Sequence, residues 1–200
     1  MLKRNNRTVI AFSKFFSNFF NPMTSLVLYL AYFSSVRMSA QEALQKFLPI
    51  ILIMILPITV WIFWNVKRGN YSNMDVSNRN QRKSLYSFIA AAIAVYLVYE
   101  YFRFDRIDLV VSFLMVLLLL MQLSNYFIKS SMHTAFNVYV AALFFALNIK
   151  LGILWFGIAI LVGYTRIILK RHTVKEVISG AIIALSVSFI YLYANIMISN

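Results

Sequence analysis

The chain has 200 residues, of which 62% are hydrophobic and 12% charged; the charged share is about half that of an ordinary soluble domain. It contains no cysteine, which excludes disulfides, thiolate metal sites and a cysteine nucleophile. Its formal charge is +13, from 19 Lys and Arg against 6 Asp and Glu. In a chain this apolar, such an excess points first to charges flanking membrane spans and second to an anionic ligand. Nucleic acid is not an expected partner, because no soluble basic domain exists to hold it.

The N-terminal stretch interleaves Lys3, Arg4, Arg7 and Lys14 with Phe and Ile. It lacks the small-residue site that closes a cleavable signal peptide. Residues 1–21 are expected to form an interfacial segment, with Ile10–Phe20 an amphipathic helix on the membrane surface, ended by Asn21-Pro22. Residues 22–200 are expected to form a single transmembrane domain.

A helix needs about 20 apolar residues to cross the hydrocarbon core. Candidates run over Pro22–Ser35, Phe47–Val66, Ser84–Phe102, Ile107–Ile128, His133–Asn148, Leu151–Leu169 and Val177–Ser199. Backbone groups in lipid find partners only within helices or closed barrels. The fold class is therefore all-α: a polytopic transmembrane bundle of six to seven spans with the N-terminal interfacial helix. Alternation puts the N-terminus, Lys67–Lys83, Lys129–His133 and Arg166–Glu176 on one face. All of the 19 Lys and Arg except Arg37, Lys46, Arg103, Arg106 and Lys150 fall there, which makes that face cytoplasmic by the positive-inside tendency. Taken alone, Lys67–Lys83 reads as a solvated loop.

The chain has two histidines, His133 and His172, both on this basic face. Histidine suits nucleophilic attack and proton transfer near neutral pH. A metal site would need further His or carboxylates nearby; only Asp75 and Glu176 share the face, and its positive field suits a polyanion. Neither a metal nor a cofactor is expected. His172 and Glu176 are four apart, so a helix sets them side by side; the carboxylate could fix the imidazole tautomer, or serve as a helix-start acid beside a capping histidine. Gly180, four residues further along that stripe, permits close helix packing. Around His133, Lys129-Ser130-Ser131 could cradle an anion at a helix N-terminus, or Ser-Ser could be an ordinary N-cap.

These segments resemble the type-2 phosphatidic acid phosphatase superfamily of membrane lipid phosphatases. Its third motif, Ser-Arg-x5-His-x3-Asp, is matched in spacing by Thr165-Arg166-x5-His172-x3-Glu176. Its second, Pro-Ser-Gly-His, meets Ser130-Ser131-Met132-His133, where Ser and His agree and Pro and Gly do not. Its first, Lys-x6-Arg-Pro, meets Asp75-x6-Arg82-Lys83, where only the Arg agrees. The chain looks like a divergent bacterial-type branch, in which Arg79 or Lys129 takes over the missing Lys. Two expected spans separate each motif from the next, which brings all three to one face.

The resemblance implies a metal-independent phosphatase of the bacterial inner membrane. His172 would attack phosphorus and form a phosphohistidine, and Glu176 would orient it. Arg82, Arg166 and the Ser131 hydroxyl and backbone, with Arg79 or Lys129, would hold the phosphoryl oxygens. His133 would protonate the leaving group. The expected partners are the bilayer and a membrane lipid with a phosphate head group, either a monophosphate such as phosphatidic acid or an isoprenoid diphosphate. Two other readings stand beside this one. One is a catalytically weakened relative that binds anionic head groups or acts as a scaffold, motivated by Asp75, Lys83 and Met132. The other is a small transporter or channel subunit, which would place ionisable residues deep within spans; the spans hold mainly the amides Gln122, Asn125 and Asn137, with Glu100 near an end, which speaks against it.

Overall fold

The structure, a computed structural model, describes residues 2–76 and 78–199. The side chains of residues 2–6 lie outside the described set, and the expected roles of Lys3 and Arg4 fall there. Nine α-helices follow in order: α1 Leu2–Phe19, α2 Pro22–Arg37, α3 Ala40–Pro49, α4 Leu56–Lys67, α5 Arg79–Phe104, α6 Leu109–Ser124, α7 Met132–Leu147, α8 Ile149–Ile168 and α9 Val174–Ser199. No strand occurs among the described residues, so the all-α expectation is observed.

Four helical stretches are long and apolar enough to cross a membrane: Ala40–Lys67, Arg79–Phe104, Ile149–Ile168 and Val174–Ile198. Leu109–Ser124 and Met132–Leu147 are apolar but shorter. Each stretch expected as a span lies on a helix. The second starts earlier than its apolar run suggests, because Ser39 and Glu42 form a reciprocal capping box at its N-terminus. Pro49 interrupts this helix, and Ile50–Ile55 continues it as a π-helical stretch between α3 and α4. Proline supplies no N–H and clashes with the carbonyl four residues back, and a widened turn is one way a helix absorbs that defect.

The chain packs as two units: Met1–Ala31 with Ile128–Asn200, and Tyr32–Phe127. In the first, α7 is the central helix, packed mainly on α8 and α9. Residues His133 to Phe144 are all buried, as suits a helix surrounded on every side. On α8 and α9, Ile153, Ile160, Ile182 and Phe189 are exposed while Trp155, Val162, Val187 and Tyr191 are buried, and Ser25, Ser131, Thr134, Asn137, Thr165 and Arg166 are buried too. Asn137 ties the N-terminal segment to α7: its Nδ2 donates to the carbonyls of Phe20 (2.9 Å) and His133 (2.8 Å), and its Oδ1 accepts from Ser25 Oγ (2.9 Å).

Helix α1 packs on α8. Its small polar residues Ser13 and Ser17 are buried while Phe12, Phe15 and Phe19 are exposed. The face that meets protein is the pair of small serines, while Lys14 and Asn18 are exposed along with the phenylalanines.

In the second unit, Lys67–Lys83 is more than a solvated loop. Tyr71, Val76 and Leu85 form a small core with Trp61, Ile62, Val66 and Ile89. Tyr71 Oη accepts from Trp61 Nε1 (3.1 Å) and shares a hydrogen bond with Ser84 Oγ (2.9 Å). Val76 holds φ +43°, the left-handed region that a β-branched residue seldom occupies. At the opposite end of α5, Glu100 is buried, accepting from Tyr96 Oη (3.3 Å) and paired with Arg106 (3.5 Å).

Close packing in the first unit rests on Gly180. A Cβ there would stand 2.6 Å from the Ser131 carbonyl oxygen and 3.1 Å from its nitrogen, and backbone cannot move aside as a side-chain tip can. Gly180→Ala is expected to destabilise by about 1–3 kcal/mol, the usual cost of overpacking. Gly157→Ala, whose Cβ would meet nothing within 4 Å, is expected to leave stability unchanged or raised. Thermal unfolding in detergent micelles measures both; equal midpoints would contradict the contact.

Candidate functional site

The site is built where the starts of α7 and α9 meet the end of α8. Thr165 and Arg166 lie in the last turn of α8, and both are buried. The connection to α9 folds back on that turn: the backbone N–H groups of Arg171 (3.0 Å) and His172 (3.3 Å) both donate to the Arg166 carbonyl. Lys170 takes φ +54° within this connection. His172 is therefore held against the residue six positions before it.

Glu176 lies in the first turn of α9. Its Oε2 stands 2.9 Å from His172 Nδ1 and accepts from the Thr173 backbone N–H at 3.0 Å. Thr173 Oγ1 in turn accepts from the Glu176 N–H at 3.3 Å. This is a capping box whose carboxylate also engages an imidazole. The two sequence readings of Glu176, helix-start acid and histidine partner, describe one oxygen doing both. The His172 side chain is fully buried and that of Glu176 is 18% exposed.

Ser131 is the N-cap of α7, its hydroxyl accepting from the Thr134 N–H (3.4 Å) and from Thr134 Oγ1 (3.0 Å). Its backbone N–H donates to the Glu176 carbonyl at 2.9 Å. The capping reading of Ser131 thus describes its acceptor side, and the amide expected to face an anion holds α9 instead; a hydroxyl keeps its own proton to donate. Ser130 Oγ and Ser179 Oγ share a hydrogen bond of 2.7 Å. Lys129 Nζ donates to the Arg171 carbonyl at 3.2 Å, and His133, two residues beyond Ser131, is buried. At Gly163, three residues before Arg166, a Cβ would lie 2.9 Å from Val177 Cγ1 and 3.4 Å from Thr134 Oγ1. All three helices approach one another at this level.

Lys129, Ser131, His133, Arg166, His172 and Glu176 thus belong to one end of the first unit, with direct bonds tying Ser131 to Glu176, Glu176 to His172 and His172 to Arg166. Arg79 and Arg82 belong to the second unit. The Arg79 guanidinium donates through Nε to the Asn125 carbonyl (2.6 Å) and through Nη2 to that of Tyr126, while Asn125 Nδ2 donates to the Arg79 carbonyl (3.1 Å). A cation on the last carbonyls of a helix is a C-terminal cap; in this structure Arg79 caps α6. Buried Arg82 donates through Nε to the Val76 carbonyl at 3.1 Å. Ser17, Thr134 and Ser179 were not legible as site residues. A serine paired with a residue dozens of positions away carries no local signal. Among the described residues no group of three or more His, Asp or Glu gathers that could ligate a metal.

Long apolar helices define the class, a helical membrane protein, and one end of it holds a histidine–carboxylate pair beside basic side chains. Residues 123–197 match the sequence model of the PAP2 superfamily, the type-2 phosphatidic acid phosphatase family that the motifs resemble. The matched segment holds the second and third motifs and excludes Asp75–Lys83. It is phosphatase-like in kind. No curated protein and no solved structure matches the chain.

The meeting of α7 and α9 can be tested without any activity assay, because the chain has no native cysteine. In a Ser130→Cys/Ser179→Cys double variant, the two sulfurs would replace hydroxyls 2.7 Å apart, within the reach of a disulfide. Mild oxidation is expected to protect both thiols from maleimide labelling within a single monomeric chain. Persistent labelling of both would refute the juxtaposition.

Proposed function

We propose that the protein is an integral membrane phosphatase that releases phosphate from a lipid monophosphate or isoprenoid diphosphate through a phosphohistidine. The observation that carries this reading is the 2.9 Å His172 Nδ1–Glu176 Oε2 pair, inside the segment that matches the PAP2 superfamily. With Nδ1 protonated and donating to the carboxylate, the lone pair lies on Nε2. Nε2 attacks the terminal phosphorus and the bond from that phosphorus to the leaving oxygen breaks, which is the lipid oxygen of a monophosphate or the bridging oxygen of a diphosphate. His133 donates a proton to that oxygen, then takes one from the water that attacks the phosphohistidine, and inorganic phosphate leaves. Arg166, Lys129 and the Ser131 hydroxyl hold the phosphoryl oxygens; guanidinium forks suit these because they donate in parallel pairs. Phosphate-binding roles for Arg82 and Arg79 rest on the motif resemblance alone.

In this reading the bundle has six to seven spans and α1 lies at the membrane surface. The site faces the cytoplasm of a bacterial inner membrane, and the lipid tail stays in the bilayer while the head group reaches the basic end. The transport alternative calls for ionisable groups deep within spans, and the amides found there serve packing: Asn137 binds Phe20, Ser25 and His133, and Gln122 Nε2 reaches Ser87 Oγ at 3.4 Å. The head-group-binding alternative differs from catalysis only in turnover.

Purified protein in micelles is expected to release inorganic phosphate from phosphatidic acid or a polyprenyl diphosphate without added metal, and His172→Ala is expected to lose turnover by at least about a hundredfold. A wild type that binds these lipids yet releases nothing would favour the head-group-binding alternative.

Arg166→Lys is expected to lose most of the activity while keeping the charge, since a point charge does not reproduce a bidentate fork. Near-wild-type turnover in that variant would remove Arg166 from the phosphate clamp. Arg82→Ala in the same assay is expected to fall similarly.

A further inference from the structure

The N-terminal helix lies outside every motif and outside residues 123–197, the segment that matches the family. Yet its contact with Arg166 is direct: Arg166 Nη1 donates to Ser17 Oγ at 3.2 Å, across 149 positions of sequence. Both residues are buried, Ser17 at 0% and Arg166 at 2% exposure.

Helix α1 is held in a definite place for this contact. The Phe20 ring meets Trp155 of α8 edge to face at 5.8 Å between centroids, and the Phe20 carbonyl accepts from Asn137 of α7. The helix is rotated so that Ser13 and Ser17, one turn apart, face inward and its phenylalanines face outward. A surface helix whose only role was attachment could present any small residue to α8. This one presents a hydroxyl to the buried arginine.

We propose that Ser17 is a positioning residue that fixes the Arg166 guanidinium for the phosphoryl group, so that the N-terminal helix forms part of the phosphate site. This inference rests on the phosphatase reading above. A guanidinium has five N–H donors on a long flexible side chain. A neutral hydroxyl engages one of them and restricts the side chain without cancelling its charge. A carboxylate at the same place would compete with the phosphate. Ser13 supplies an internal control. It is equally buried and on the same face, but its hydroxyl has no hydrogen-bond partner, so its removal costs no bond.

The test uses the full-length protein in micelles, with phosphate release from phosphatidic acid and vanadate binding as two readouts. Ser17→Ala is expected to lower kcat and vanadate affinity about tenfold, the worth of one hydrogen bond to a charged group, with KM within about twofold. Ser17→Asp is expected to lower both further. Ser13→Ala is expected to match wild type in both and to melt no lower. Ser17→Cys, which keeps the volume and weakens the acceptor, is expected to behave as Ser17→Ala does and covers the case in which alanine packs poorly.

The proposal is overturned if Ser17→Ala and Ser17→Cys match wild type, or if Ser13→Ala falls as far as Ser17→Ala. Failure of the phosphatase reading looks different: wild type then releases no more phosphate than His172→Ala. The vanadate arm still decides in that case. Affinity weakened by Ser17→Ala and not by Ser13→Ala supports the positioning role in an anion site, and a wild type that does not bind vanadate overturns it.

Discussion

A single backbone hydrogen bond, from the Ser131 N–H to the Glu176 carbonyl at 2.9 Å, joins the start of α7 to the start of α9. It is possible only because Gly180 has no side chain to hold Ser131 away. Both helices begin at this junction, and helix starts carry partial positive charge in their unsatisfied N–H groups. The same junction puts His133 two residues from one helix cap and His172 beside the other. The motifs around the two histidines, about forty positions apart in the chain, become neighbours by this bond rather than by any property of the loops that carry them.

Capping and candidate chemistry use the same atoms here. Glu176 Oε2 closes a capping box with Thr173 and meets His172 Nδ1, so the carboxylate is anchored before it engages the imidazole. A freely rotating glutamate would lose side-chain entropy to hold that pose; one already fixed by a helix N-terminus loses less. Glutamate is also one methylene longer than the aspartate of the family motif. Its use as the third residue of a capping box gives that length a purpose, because the box requires a side chain that reaches back past its own turn.

The His172–Glu176 pair was anticipated from a helical spacing of four, but His172 lies in the connection before α9, and the two meet because the Glu176 carboxylate folds back over the helix start as part of the capping box. The helices were legible because apolar run length is set by the bilayer. The start of the second expected span was misjudged by hydropathy, since Ala40–Lys46 is polar, although Ser39 and Glu42 carry the capping signal in plain sequence. The direction in which α1 faces was not legible: periodicity reveals two faces but does not say which one meets protein when the other can meet lipid. Asn137 read only as a polar residue inside a span, and it ties α7 to the N-terminal segment. Arg79 was one of two alternatives, with Lys129, for a phosphate-binding role, and its bonds to the end of α6 were not foreseen. Both depend on partners distant in sequence, which one sequence does not name.

The first unit exposes Ile, Leu and Phe, and its interior holds Ser, Thr, Asn, Arg and His among apolar residues such as Val140, Leu143 and Val162. In lipid, apolar burial contributes little between helices, and association depends on close packing and interhelical hydrogen bonds. The same polar interior that binds these helices is a setting in which a phosphate could be held. Water is excluded there, a buried arginine acts at low dielectric, and each donor is oriented by a structural partner before any ligand arrives. The hydrogen bonds that Arg166 donates to Ser17 and that pair His172 with Glu176 therefore hold the two side chains on which the phosphatase reading places most of its chemistry. Stability and function are coupled at these positions, and a substitution that relaxes one is bound to disturb the other.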